Sequence, residues 1–310
     1  MAHPPEDCLP VELTRDAFQV LGRDGAFSAQ LGELLSYNEY QGTGNFRITL
    51  TNLFNEYYPK STIYGSNVMI LPGASFAIHF ICSHLKEKKE GGQVVIVEDP
   101  SYSLVYDIFY NLGLEIKGIP VDHEGLNVHL LEEELKSGLK IKFVYSIPVF
   151  HNPTGVSLSQ QRRTKLIELS KEYNFYIISD EVYSLLSFQS PLIIPLSCED
   201  YEPYTVCSVG SFSKIFSPGL RVGWIIAFGE LMNTLSSSPI LVSGGGFSAL
   251  EGAILQVLIK NNSFSNHLSR VLEIYHRKYQ IIWNELKECT KLEFSSVQGG
   301  FFLWIKVKED

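Results

Sequence analysis

Residues 208–225 read SVGSFSKIFSPGLRVGWI and hold two basic side chains, Lys214 and, seven positions later, Arg221. Ser211 and Ser213 lead into the lysine, while Phe212, Ile215 and Phe216 surround it with apolar bulk. An amine of pKa ~10.4 is a poor nucleophile until its surroundings lower that value. Taken alone, the stretch equally suits a surface lysine at a helix start.

Four further positions carry polar chemistry just after an apolar run. Ala74 and Ser75 belong to PGAS, where small residues at a helix start let backbone N–H groups approach an anion. Tyr102, in EDPSY, is either the edge of a core or a flat face offered to a ligand. Asn152, in HNPTG, fits simple turn chemistry, or an amide held at the end of a sheet. Asp180 closes the apolar run FYIISD and begins DEVY, which also contains Tyr183. A carboxylate there is a helix cap or a buried charge awaiting a partner. Each residue has a plain structural role. Together they put an amide, a carboxylate, two tyrosines, a lysine and an arginine at successive strand ends, where open α/β sheets bind ligands. No G-x-G-x-x-G or G-x-x-x-x-G-K-[ST] motif occurs, which removes the main support for dinucleotide and P-loop readings.

The elements that must position these residues are legible from residue 67 onward. Short apolar runs (NVMIL, QVVIVE, LEIKGIP, IKFVYSI, FYIISD, YTVCSVG, GWIIAF) alternate with amphipathic segments such as ASFAIHFICSHLKE and LSQQRRTKLIELSKEYN. That alternation predicts a three-layer α/β/α domain with a mostly parallel sheet. After GWIIAF two helical segments follow, and GGFFLWIKV predicts a closing strand. The expected division is an N-terminal segment over residues 1–50 with part of a small α+β domain, a large domain over 51–263, and an incomplete small domain over 264–310.

A net charge of −9 with no long basic block argues against a nucleic-acid or anionic-membrane surface. Apolar runs are far too short to span a bilayer, and MAHPPEDCLPVELTRD lacks the pattern of a signal peptide. Five scattered cysteines without a C-x-x-C pair point to reduced thiols and a cytoplasmic protein. The histidines show no metal-ligand spacing, so no metal is expected.

In order, NPTG, DEVY, SFSK and PGLRVGW make the chain similar to the fold-type I, pyridoxal-phosphate-dependent aminotransferases of class I/II, from LSYNEYQGTGNFR to GGFFLWIKV. The spelling resembles the broad-specificity branch with aromatic and 2-aminoadipate aminotransferases. The resemblance implies pyridoxal 5'-phosphate as cofactor, with Lys214 bonding covalently to its aldehyde and shuttling a proton. It implies Asp180 pairing with the ring nitrogen, Asn152 and Tyr183 bonding the phenolic oxygen, and Tyr102 stacking on the ring. The phosphate falls to the Ala74 and Ser75 amides, Ser211 and Arg221, with Ser213 as an added candidate. Tyr37, in LSYNEYQG, matches a tyrosine that reaches the phosphate of a neighbouring subunit, implying a homodimer with a shared site. Substrates would be an L-amino acid and a 2-oxo acid.

Two features depart from the family. The downstream arginine that clamps the substrate carboxylate has no counterpart before Asp310, and Ala2 stands where a glycine is expected. The chain therefore reads as clipped at both ends, binding cofactor but transaminating weakly. A carbon–sulfur lyase or decarboxylase on the same scaffold, or a non-catalytic cofactor-binding paralogue, would use the same cofactor residues.

Overall fold

The computed structural model describes residues 4–23, 31–87 and 92–308; Ala2 lies outside them. Eight strands form one sheet in the order β1-β8-β7-β6-β5-β2-β3-β4. They are β1 (Val68–Leu71), β2 (Val94–Asp99), β3 (Glu115–Asp122), β4 (Gly125–Leu126), β5 (Ile141–Ser146), β6 (Tyr176–Asp180), β7 (Val206–Ser211) and β8 (Gly223–Ile226). Strands β3, β2, β5, β6 and β7 are parallel, whereas β8 runs antiparallel to both β7 and β1. A two-stranded pair, β9 (Leu292–Glu293) and β10 (Lys306–Val307), stands apart.

The central strands are buried on both faces, and for that reason their sequences read as unbroken apolar runs. The period of two is still visible in which core each side chain joins. Val95, Val97, Phe143, Tyr145, Ile178, Cys207 and Val209 enter the larger core. Ile96, Val144, Ile177 and Val206 enter a smaller one on the opposite face. On the larger-core face, α3 (Ala74–Leu85) lies against β7 and β8; on the smaller-core face, α6 (Gln160–Glu172) lies against β6 and buries Leu166, Ile167 and Leu169. Between α3 and α6 come α4 (Tyr106–Asn111) and α5 (Val128–Lys136), the latter capped by the Asn127 side chain accepting from Leu130 N at 3.1 Å.

The N-terminal part joins the same core. α1 (Val11–Arg23) and α2 (Gly44–Tyr57) both pack on α9 (Ala249–Lys260), which follows α7 (Gly229–Ser236) and α8 (Pro239–Gly244). The long α10 (Ser263–Leu286) starts inside this core. Phe264, His267, Leu268, Val271 and Tyr275 are buried, and the Phe264 ring sits 5.5 Å from Phe212 and 5.9 Å from Phe216.

One expected element differs. GGFFLWIKV is not one strand, because Lys306–Val307 pairs with Leu292–Glu293 while Gly299 makes an isolated bridge to Ser187. Gly300 turns the chain at φ 76, and Phe301 and Phe302 both pack edge-on against Tyr183, at 5.7 and 5.5 Å. Two adjacent rings facing one partner cannot alternate between sheet faces, so the run gives up strand geometry for aromatic packing.

Phe264 tethers α10 to the loop that carries Lys214. Phe264→Ala should lower unfolding free energy by about 3–5 kcal/mol, the cost of emptying a buried aromatic site. Urea denaturation of the full chain measures it.

Candidate active site

The carboxyl ends of the parallel strands, the start of α3 and the loop after β7 enclose an open cleft of about 540 Å³. Its walls include Ala74, Ser75, Tyr102, Asn152, Asp180, Tyr183, Ser211, Ser213, Lys214 and Arg221. These are all the predicted site residues except Tyr37, which is 89% exposed and outside the cleft. A volume of this size is typical of small-molecule sites.

Local structure explains each position. Asp180 ends β6 and is paired with Val209 of β7, which brings the carboxylate next to the lysine loop. Lys214 lies in a turn directly after β7, where Phe216 N donates to Phe212 O at 2.9 Å. On either side of the lysine, Phe212 and Phe216 are fully buried as anchors, Phe212 against Phe46, Trp224 and Phe264. The amine is thus half-buried because its neighbours are pulled into the core.

Arg221 stands at the far end of the same loop with φ 52, and its guanidinium returns to the start of α3. Nη2 donates to Pro72 O at 3.2 Å, while Nη1 donates to Pro218 O at 3.1 Å and to Ser213 Oγ at 3.4 Å. Ser211 Oγ donates to Ser213 Oγ at 2.9 Å. Gly73 has φ 87, and a Cβ on it would come within 2.5 Å of Arg221 Nη2. Only glycine allows both that backbone turn and that close approach. The first amides of a 12-residue helix, an arginine and two hydroxyls therefore share one corner, a donor set suited to a phosphate-like anion.

At the opposite end, Asp180 is 5% exposed. Tyr145 Oη donates to its Oδ2 at 2.7 Å, and Oδ1, also buried, has no hydrogen-bond partner. The Val182 backbone amide also favours the charge. Burial pushes the Asp180 carboxyl up to about 6, against the pull of Tyr145, Val182 and Lys214 and with a push from Glu98. Burial lowers the Lys214 ammonium pKa, the Asp180 charge opposes that shift, and Arg221 adds to it. Asn152 Nδ2 donates to Tyr183 Oη at 3.4 Å, and burial raises the Tyr183 phenol.

Behind the cleft lies a buried group that the sequence reading did not single out. Glu98, at the end of β2, accepts from Ser146 Oγ at 2.6 Å and from Ile147 N at 2.8 Å. His151 Nε2 is 2.9 Å from Glu98 Oε2, although off the line of a hydrogen bond. Glu98 thereby pins the strand end that leads to Asn152. Its signal in the sequence was an acid ending the apolar run QVVIVE, the same signal that marked Asp180. Among the described residues there is no cluster of metal-ligating side chains, and no helix is long and apolar enough to cross a membrane.

Comparison with known proteins decides the family. The model of "Aminotransferase class I and II" matches residues 11–310. The chain belongs to that family. The aromatic-amino-acid aminotransferase 1 of Thermococcus litoralis is 29% identical over 99% of this chain and 72% of its own length. The kynurenine aminotransferase of Pyrococcus horikoshii, solved in complex with PMP, is 26% identical with a TM-score of 0.85, covering 98% of this chain and 74% of that one. The HTH-type transcriptional regulator YdfD of Bacillus subtilis is 29% identical over 89% of this chain, which spans 56% of that protein. The aminotransferase fold and the aromatic branch of the family accord with the order of motifs in the sequence.

The raised Asp180 pKa predicts a stability signature without cofactor. A carboxyl that titrates at about 6 when folded and at 3.8 as a free side chain holds its proton more tightly in the native state. Stability is therefore lost as pH rises from about 4 to 6, by roughly 3 kcal/mol. Asp180→Asn should make the cofactor-free protein more stable at pH 7 by up to about that amount. The advantage should vanish near pH 4, as measured by urea unfolding at each pH.

Proposed function

We propose that the chain is a pyridoxal-phosphate-dependent aminotransferase in which Lys214 is the catalytic residue, moving an amino group from an L-amino acid to a 2-oxo acid. The observation that carries the reading is the convergence in one cleft of a half-buried amine, a buried carboxylate with one unpartnered oxygen, and a corner of anion donors. These residues fit the cofactor. Asp180 Oδ1 offers an acceptor for a ring N–H and so gains the partner that it lacks within the protein. Ala74, Ser75, Ser211 and Arg221, with Ser213, would hold the phosphate. Asn152 and Tyr183 would hold the phenolic oxygen, and Tyr102 would cover the ring face. When bound, the cofactor supplies an aldehyde to capture amines and a ring that accepts electrons from the substrate's α-carbon.

The protein supplies the rest. Lys214 Nζ, with its pKa lowered by burial, takes the proton from the substrate's α-carbon as a general base. The Asp180 charge would hold a proton on the ring nitrogen. Ile78, Ile147 and Val182 give part of the cleft an apolar wall. Aromatic amino acids are the proposed donor class, supported by the name of the Thermococcus relative. Residues 51–263 would form the cofactor domain, flanked by the segments 1–50 and 264–310.

The reading includes a homodimer. Tyr37 lies beside Gly245 at the end of α8, whose Ile240 and Val242 are likewise exposed. These apolar side chains would be covered by a second copy, letting Tyr37 reach the phosphate of the neighbouring site. The cytoplasm is the proposed compartment and amino-acid biosynthesis the proposed setting; free Cys8, Cys82, Cys198, Cys207 and Cys289 suit a compartment that keeps thiols reduced.

Each part of this reading is open to experiment. The purified chain should take up pyridoxal phosphate with a visible absorbance band that borohydride fixes to the protein. Lys214→Ala should abolish both while retaining the fold by circular dichroism; a fixable band in K214A would refute the assignment. Oxo-acid release from an aromatic amino acid beyond one equivalent per cofactor should require a 2-oxo-acid acceptor, whereas continued turnover without one would indicate a lyase. Sedimentation should report a dimer, and Tyr37→Phe should weaken cofactor affinity about tenfold, the worth of one charged hydrogen bond, without dissociating it.

A further inference from the structure

We propose that Tyr145 is the positioning residue for Asp180: its hydroxyl fixes Oδ2 and so dedicates Oδ1 to whatever the cleft binds. The inference deepens the reading above, resting on it for the identity of what Oδ1 meets, while the contact itself stands on geometry.

Tyr145 is fully buried on β5, opposite Ile178 of β6, and its ring packs edge-on against Phe109 at 5.7 Å. The ring has no route to solvent, and its hydroxyl finds its acceptor in Asp180 Oδ2 at 2.7 Å. The strand carrying it is pinned one residue later, where Glu98 accepts from Ser146 Oγ and Ile147 N. The donor therefore sits on rigid backbone on the face of the sheet that Asp180 shares.

Without a donor on one oxygen, either oxygen could turn to the cleft. Other groups act on the charge of the carboxylate as well. Lys214 and the Val182 amide favour its charge, and Glu98 disfavours it. The Tyr102 and Tyr183 phenols are raised by burial first and by the Asp180 charge next, and His151 faces Glu98 from the Asn152 turn. The Tyr145 phenol is held far above its ordinary value by burial first and by the Asp180 charge next, so it stays a donor at any working pH. As a donor it favours the ionised carboxylate. Its loss raises the Asp180 pKa further.

The test is the titration of the Asp180 carboxyl in the cofactor-free full chain, followed by carbon NMR with labelled aspartate, in wild type and Tyr145→Phe. The midpoint should rise by about one to two pH units in Y145F. Affinity for pyridoxal phosphate at neutral pH should fall about tenfold to a hundredfold, with its acid-side loss starting at higher pH. A merely structural ring would change the melting temperature and leave the midpoint in place; an unmoved midpoint in folded Y145F overturns the proposal. Should Y145F not fold, 3-fluorotyrosine placed at position 145 gives a stronger donor and should lower the midpoint, and no shift overturns the proposal equally. Because the titration needs no cofactor, it decides the role of Tyr145 on the carboxylate even if wild type fails to bind pyridoxal phosphate, an outcome that would instead sink the functional reading.

Discussion

Keeping the carboxylate of Asp180 charged where water cannot reach it is the constraint around which the site is built. Ionised carboxylates avoid apolar interiors unless hydrogen bonds and opposite charge compensate them. Here the compensation is partial: a phenol holds one oxygen, a half-buried amine stands nearby, and the second oxygen is left over. Such incomplete satisfaction is costly in the free protein; on the proposed reading it is offset once a cationic ring arrives. Stability and function would then draw on the same group in opposite directions, a common arrangement where strong binding must be held in reserve.

The sheet makes this possible by division of labour between its faces. Alternate residues of β5, β6 and β7 feed two separate cores, so the strands are rigid from both sides while their carboxyl ends stay open. The last polar residues of those strands then project from fixed backbone. Lys214 and Arg221 come from a loop instead, but its two phenylalanines are core residues, and that gives it the stiffness of a strand. Glycine at position 73 lets the guanidinium lie against the start of α3.

Much of this could be read from the amino acids because polar side chains with chemistry to offer follow the apolar runs where the sheet ends. Asp180, Asn152 and Tyr102 announce themselves in that way, and PGAS does so through its small residues. Strand order is not visible: nothing in NVMIL says that β1 lies at an edge beside the antiparallel β8. Tyr145 escapes notice because a tyrosine among apolar neighbours reads as core, and the partner that gives it meaning is 35 residues away. The segment at Gly299–Trp304 misleads for a physical reason, since its phenylalanines are apolar enough for a strand but are consumed by Tyr183 and Tyr275. Tyr37 is exposed in the single copy, and the role proposed for it needs a second one.

The reversal of β8 has one more consequence. Because β7 and β8 pair as a hairpin, Ser211 opposite Gly223, the residues proposed for the covalent anchor and for the phosphate anchor share a single connecting loop. Both grips then open or close on one clasp. A ligand so held would not be peeled away from one end; it would leave whole, at the rate at which the aromatic rivets of that clasp work loose.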